Sequence, residues 1–253
     1  MRSGAPPIAA LPRRDRLLIS TCLALITALA WVYLIRLDRQ MSSMAAMAMS
    51  PRTDVLFTFL MWAVMMVGMM AGSALPVLLL FGSARAARGE GHVPLAVLVF
   101  GFGYAVVWAA FSLCAALAQS ALHQAAMLSP AMSTSSQRVG GAILIAAGLY
   151  QLTPFKGACL TRCRSPLGFL ITNWRDGNLG AFGMGLRHGA YCLGCCWALM
   201  CVLFVVGVMN LIWVAALSVL VLAEKMGPGA AIVARVAGAV MIVAGVLVAA
   251  GVT

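Results

Sequence analysis

The chain has 253 residues, 63% of them hydrophobic and 9% charged, with a formal net charge of +11. That composition lies outside the soluble range and reads as a polytopic membrane protein, whose scattered basic residues reflect topology rather than a nucleic-acid partner. With 3 histidines and 6 acids there is little material for a hydrolase site, and 8 cysteines in so apolar a chain point to metal, redox or packing roles rather than a disulfide scaffold.

Residues 1–16, with Pro6, Pro7 and Pro12 ahead of Arg13, Arg14 and Arg16, form a basic cytoplasmic lead-in; residues 17–253 form a single transmembrane helical domain. Residues 17–35 have spanning length and continue past a signal-peptidase-like Ala28-Leu29-Ala30, so they read as an uncleaved first helix. Residues 36–54 form an outer loop carrying Met41, Met44, Met47 and Met49. A second span covers 55–81, with Pro76 predicted to kink its far end, and 82–92 is a basic turn with Arg85 and Arg88. In the third span, 93–118, Gly101 and Gly103 leave room for close helix packing.

After a polar, Ser-rich segment, residues 139–152 are short for a span and end at Thr153-Pro154, so they tilt or dip part of the way in. Residues 153–188 read as a cytoplasmic loop containing Cys159 and Cys163. From Gly189 the chain stays apolar to Ala223, too long for one helix across about 30 Å of hydrocarbon at about 1.5 Å per residue, so residues 207–210 are expected to divide it. Residues 230–252 make the last span. The expected fold is all-α, a polytopic transmembrane helix bundle of about seven spans, with six as the alternative if 139–152 or the hairpin at Asn210 does not cross.

Arg and Lys give the sidedness. With a cytoplasmic N-terminus, Arg85, Arg88, Lys156, Arg162, Arg164, Arg175, Arg187 and Lys225 fall inside with the N-terminal arginines, against Arg36, Arg39, Arg52 and Arg138 outside.

Chemistry concentrates between Arg187 and Cys201, which hold one histidine and four cysteines. On a helix His188, Cys192 and Cys195 or Cys196 share one face over two turns, a soft-metal ligand set that competes with packing as an explanation. Adjacent Cys195 and Cys196 are expected to diverge, leaving at least one to packing. Cys192-Leu193-Gly194-Cys195 is either a metal chelate or a thiol–disulfide couple, and His188 on the same face favours metal. Gly194 allows a second helix to approach with further ligands. Cys159 and Cys163, four apart beside Lys156, Arg162 and Arg164, are either a thiolate pair or structural.

In the second span Met61, Met65 and Met69 recur every four residues, with Met66 and Met70 as a neighbouring row. Thioethers select Cu(I) and similarly soft ions, although methionine also fills gaps in cores. Glu224 and Lys225 read as an interfacial anchor, with a helix-to-helix ion pair as the alternative.

Several blocks together resemble a known family. They are Met61-Trp62 through Met69-Met70 with Ser73-Ala74-Leu75-Pro76; Gly148-Leu149-Tyr150-Gln151-Leu152-Thr153-Pro154 with Cys159; Cys163-Arg164-Ser165-Pro166; Gly185-Leu186-Arg187-His188-Gly189; Tyr191 through Met200; and Gly207-Val208-Met209-Asn210-Leu211 with Glu224-Lys225. This pattern resembles the bacterial family of uncharacterised predicted metal-binding integral membrane proteins. The resemblance spans nearly the whole chain after the first helix and implies metal binding and membrane embedding, with no established activity.

The leading expectation is a multi-pass protein of the bacterial inner membrane that binds a soft metal. Copper as Cu(I) suits the donors best, with zinc or another soft metal as alternatives. Its role would be transport, storage or delivery to a partner such as a metallochaperone or a larger membrane complex. The candidate ligands are His188, Cys192, Cys195, Cys196, Cys159, Cys163, Met65, Met66, Met69 and Met70, and no catalytic residue is assigned. Two rivals stand beside it: a membrane thiol–disulfide oxidoreductase using the two cysteine pairs, and a non-catalytic subunit or assembly factor of a larger membrane complex.

Overall fold

The computed structural model describes residues 11–46, 54–125 and 136–251. Its described residues are all-helical: α1 (Arg13–Ala46), α2 (Val55–Ala87), α3 (Val93–Gln124), α4 (Gln137–Gln151), α5 (Pro154–Arg164), α6 (Pro166–Asn173), α7 (Gly177–Val206), α8 (Leu211–Met226) and α9 (Ala230–Ala249). Five of them, α1, α2, α3, α7 and α9, are long and apolar enough to cross a membrane; α4 and α5, bent by 62° at Thr153, make a sixth if they count as one broken span. The expected seventh is α8, which at 16 residues is only about 24 Å long, short of a bilayer's hydrocarbon core.

Local chemistry explains where the helices stop. The Thr153 hydroxyl accepts from the Lys156 backbone N–H at 3.3 Å, and Pro154 takes the first helical position, so α4 ends and α5 starts at a new angle. Gly207, with φ of 99°, ends α7 in a conformation that side chains resist, and the Asn210 N–H closes the turn on the Gly207 carbonyl at 3.0 Å. The expected division at 207–210 is therefore present.

Other boundaries move. Helix α1 runs to Ala46, so Met41 and Met44 lie on its final turns rather than in a loop, while Met47 and Met49 fall outside the described residues. Residues 153–188, expected to be a loop, contain α5, α6 and the first turns of α7. Helix α7 therefore begins at Gly177, and the cysteines lie in its middle instead of at its start.

Helix α3 packs on α2 and α7, α4 on α9, and α5 on α7, with α8 against α2 and α9. The α3–α7 approach depends on Gly103 and Gly185, where an added Cβ would run into the carbonyl oxygens of Phe182 and Phe100, respectively. Gly101, expected to share this role, faces open space. Gly185→Ala should therefore lower the thermal midpoint of the purified protein, by an amount corresponding to about 1–3 kcal/mol of overpacking. Gly101→Ala should leave the midpoint unchanged or raise it slightly, by up to about 1 kcal/mol of helix propensity. Parallel melts in one detergent check both; equal effects would contradict the assigned packing.

Candidate metal centre

The centre lies where α7, α5, α3, α2 and α8 converge. Cys192, Cys195 and Cys196 are each 1% exposed and His188 is 2% exposed. Helical geometry places the Cys192 carbonyl opposite residues three and four further on. Both neighbouring thiols donate to it, Cys195 Sγ at 3.0 Å and Cys196 Sγ at 2.9 Å. The expected divergence of the adjacent cysteines is thus absent: their sulfurs straddle one carbonyl.

Helix α5 supplies the second helix that Gly194 was expected to admit. A Cβ on Gly194 would stand 2.9 Å from Cys159 Sγ, and the Tyr150 hydroxyl donates to the Gly194 carbonyl at 2.5 Å. One turn later Cys163 packs against the buried cluster that holds Cys192, Cys195 and Cys196. All five of these thiols, and the other three in the chain, are free.

Cys192 Sγ is the most connected atom of the group. It lies 3.0 Å from the Tyr104 hydroxyl on α3 and 2.8 Å from Lys225 Nζ on α8. Lys225 Nζ also donates to Ser73 Oγ at 3.2 Å and lies 3.6 Å from Met70 Sδ, both on α2. A single ammonium thus joins the cysteine helix to the methionine strip.

All five methionines of that strip, Met61, Met65, Met66, Met69 and Met70, are 0–1% exposed. Of the four methionines held as candidate ligands, Met65, Met66, Met69 and Met70, it is Met70 that shares Lys225 with Cys192. Helix α2 is apolar on every side, so hydrophobic periodicity could not fix its rotation.

His188 sits among the rings of Phe169, Tyr104 and Phe100, with centroids 5.1, 6.0 and 6.2 Å away. Its Nδ1 is buried without a hydrogen-bond partner. An unpaired buried nitrogen of this kind is uncommon in a native fold and suits an atom that takes a ligand.

The cations flanking the α5 cysteines are engaged elsewhere. Arg162 donates to the Tyr191 hydroxyl at 2.6 Å and Arg164 to the Gly227 carbonyl at 2.9 Å. Lys156, 1% exposed, pairs with Glu224 at 2.6 Å and also donates to the Gln151 side chain, whose amide in turn donates to Glu224 at 2.8 Å. Glu224 and Lys225, 1% and 6% exposed, are therefore not an interfacial anchor. Glu224 makes the ion pair held as the alternative, and Lys225 enters the thiol group. Sequence reasoning missed Tyr104, Ser73 and the inward turn of Lys225; a charged pair closing an apolar helix was the one available signal.

Among the described residues no three His, Cys, Asp or Glu side chains stand as a preformed metal cage. The reason is visible in the hydrogen bonds: the Cys195 and Cys196 thiols turn to a backbone carbonyl, and Cys192 turns to Lys225 and Tyr104. The chemistry of the donors nevertheless fits a soft metal, with thiols, a thioether and an unpaired imidazole nitrogen in one buried group. A metal bound here would require loss of thiol protons, and the side chains would have to turn from their present hydrogen bonds toward it.

No curated protein and no solved structure matches the chain. A family profile described as PpoB2, copper chaperone, matches residues 59–248, a span that takes in the methionine strip and every cysteine, histidine and lysine of the centre. The chain belongs to the PpoB2 copper chaperone family.

Proposed function

We propose that this protein is a membrane-embedded copper chaperone that holds Cu(I) at the α7 cysteines and passes it to a partner protein. The observation that carries the reading is the meeting of Cys192 and Met70, from two helices, on the Lys225 ammonium, with the Cys195 and Cys196 thiols on the Cys192 carbonyl and the unpaired His188 Nδ1 one turn earlier on α7. Thiolate, thioether and imidazole together favour Cu(I) over harder ions. Cys192 and Cys195 are the primary ligands, His188 and Met70 complete the set as neutral donors, and Cys163, Cys196 and Cys159 lie next to it.

Bilayer embedding is supported by the surface. Leu25, Leu29, Leu98, Phe102, Val236 and Val240 are all more than half exposed, from 57% to 68%, although apolar. Such a band is stable against lipid and costly against water. In this reading the N-terminus is cytoplasmic in the bacterial inner membrane, by the Arg and Lys distribution. Met65, Met66, Met69 and Met70 line the route between the membrane's outer side and the thiols.

The test is transfer. Purified protein in detergent, kept reduced and loaded with Cu(I), should retain about one copper per chain through gel filtration and release it to a thiol-containing acceptor peptide faster than to buffer. Protein that carries no copper, or that releases it at the same rate with and without the acceptor, contradicts the proposal.

A further inference from the structure

We infer that Lys225 sets the charge of the ion this centre accepts, selecting a monovalent over a divalent soft metal. The inference rests on the copper reading above and adds to it a residue that determines specificity.

The starting observation is a buried cation facing sulfur. Among the described residues Lys225 has no carboxylate partner; its Nζ reaches Cys192 Sγ at 2.8 Å, Ser73 Oγ at 3.2 Å and Met70 Sδ at 3.6 Å. The carboxylate of its chain neighbour Glu224 turns the other way and is taken by Lys156 and Gln151. A buried ammonium is costly unless an opposite charge compensates it, and of the groups it touches the Cys192 thiol is the one that supplies such a charge on metal binding.

Metal binding to two thiols releases two protons to solvent and leaves two thiolate charges. A monovalent ion bound by both leaves the complex with one net negative charge, which the Lys225 ammonium cancels. A divalent ion bound by the same pair is already neutral, so the ammonium becomes an uncompensated positive charge beside a second cation. His188 and Met70 add neutral donors and do not change this count. In a buried site of low effective dielectric the difference is large. Donor softness narrows the choice to soft metals, and Lys225 then separates Cu(I) from Cd(II) or Zn(II), which thiolates alone bind well.

The measurement uses the full chain in detergent under reducing, anaerobic conditions. Cu(I) affinity is read by competition with a chromophoric Cu(I) chelator, and Cd(II) affinity by competition with a Cd(II) chelator while following thiolate-to-Cd absorbance. Lys225→Met should shift the ratio of Cd(II) to Cu(I) affinity by about 100-fold toward Cd(II), whereas Lys225→Arg, which keeps the charge, should stay within about threefold of wild type. Lys225→Gln makes the same charge deletion with a polar side chain and carries the test if the methionine variant does not fold. Charge-deleting variants with the wild-type ratio, or an arginine variant that shifts as far as methionine, would overturn the inference while leaving the copper reading intact. A wild-type protein that binds no Cu(I) would overturn the copper reading itself, and this inference with it.

Discussion

Cys192→Ser should remove copper from the purified protein while the helices stay assembled. Cys192 Sγ lies at the meeting point of α3, α7 and α8, with Tyr104 at 3.0 Å and Lys225 at 2.8 Å, and its residue's carbonyl takes the thiols of Cys195 and Cys196. Serine nearly preserves the volume and keeps a hydrogen-bonding atom for both partners, so the packing should hold. What is lost is the soft donor, because a hydroxyl is a poor ligand for Cu(I). Copper affinity should fall by more than the roughly 10–100-fold typical of losing an outer-shell partner. Cys22→Ser and Cys114→Ser, at exposed positions away from the centre, should leave copper content unchanged. Metal analysis after gel filtration, with a thermal melt of each variant, separates loss of the ligand from loss of the fold. Retention of copper by Cys192→Ser would remove this residue from the site.

The largest stability effect should come from the second buried lysine. Lys156→Met leaves the Glu224 carboxylate, 2% exposed, without its ammonium, and Glu224→Gln leaves the Lys156 ammonium, 1% exposed, without its carboxylate. Removing one partner of a buried pair costs about 3–5 kcal/mol, whereas replacing both with apolar groups of similar size is often neutral or better. Each single variant should therefore melt far below wild type, and Lys156→Met with Glu224→Leu should recover much of the loss. Because Lys156 and Cys163 lie on the same short helix α5, the single variants should also release copper faster. Single and double variants that melt alike would show that the pair does not hold α5 in place.

The positions readable in the sequence were those where backbone chemistry is local. Thr153-Pro154 forced the end of α4, and Gly207 with Asn210 divided the long apolar run, because a proline or a glycine acts on its own neighbours whatever the tertiary context. Gly103 was legible as a close-approach glycine, but Gly101 was not distinguishable from it, since which side of α3 meets α7 is settled by the partner. The start of α7 was hidden because its first turns, Gly177-Asn178-Leu179-Gly180, look like a loop by propensity.

At the centre itself, helical spacing brought His188, Cys192 and Cys195 together and placed Cys159 and Cys163 on one face of α5. The spacing could not show that Cys196 joins them, because the convergence comes from two thiols bonding to one carbonyl. Nor could it choose Met70 over Met65 and Met69 on an all-apolar helix. Lys225 was the least legible of all. A lysine at a helix end normally extends to the headgroups, and here it turns inward because Ser73, Met70 and Cys192 surround it.

X-ray absorption at the copper edge, recorded on the Cu(I)-loaded protein beside its Cys192→Ser variant, tests the central claim most directly. Sulfur should dominate the wild-type scattering shell, with an imidazole contribution that disappears in His188→Ala, and the serine variant should give no bound-copper signal. A shell of oxygen and nitrogen alone, or the same sulfur shell in wild type and Cys192→Ser, would place the copper elsewhere and contradict the account.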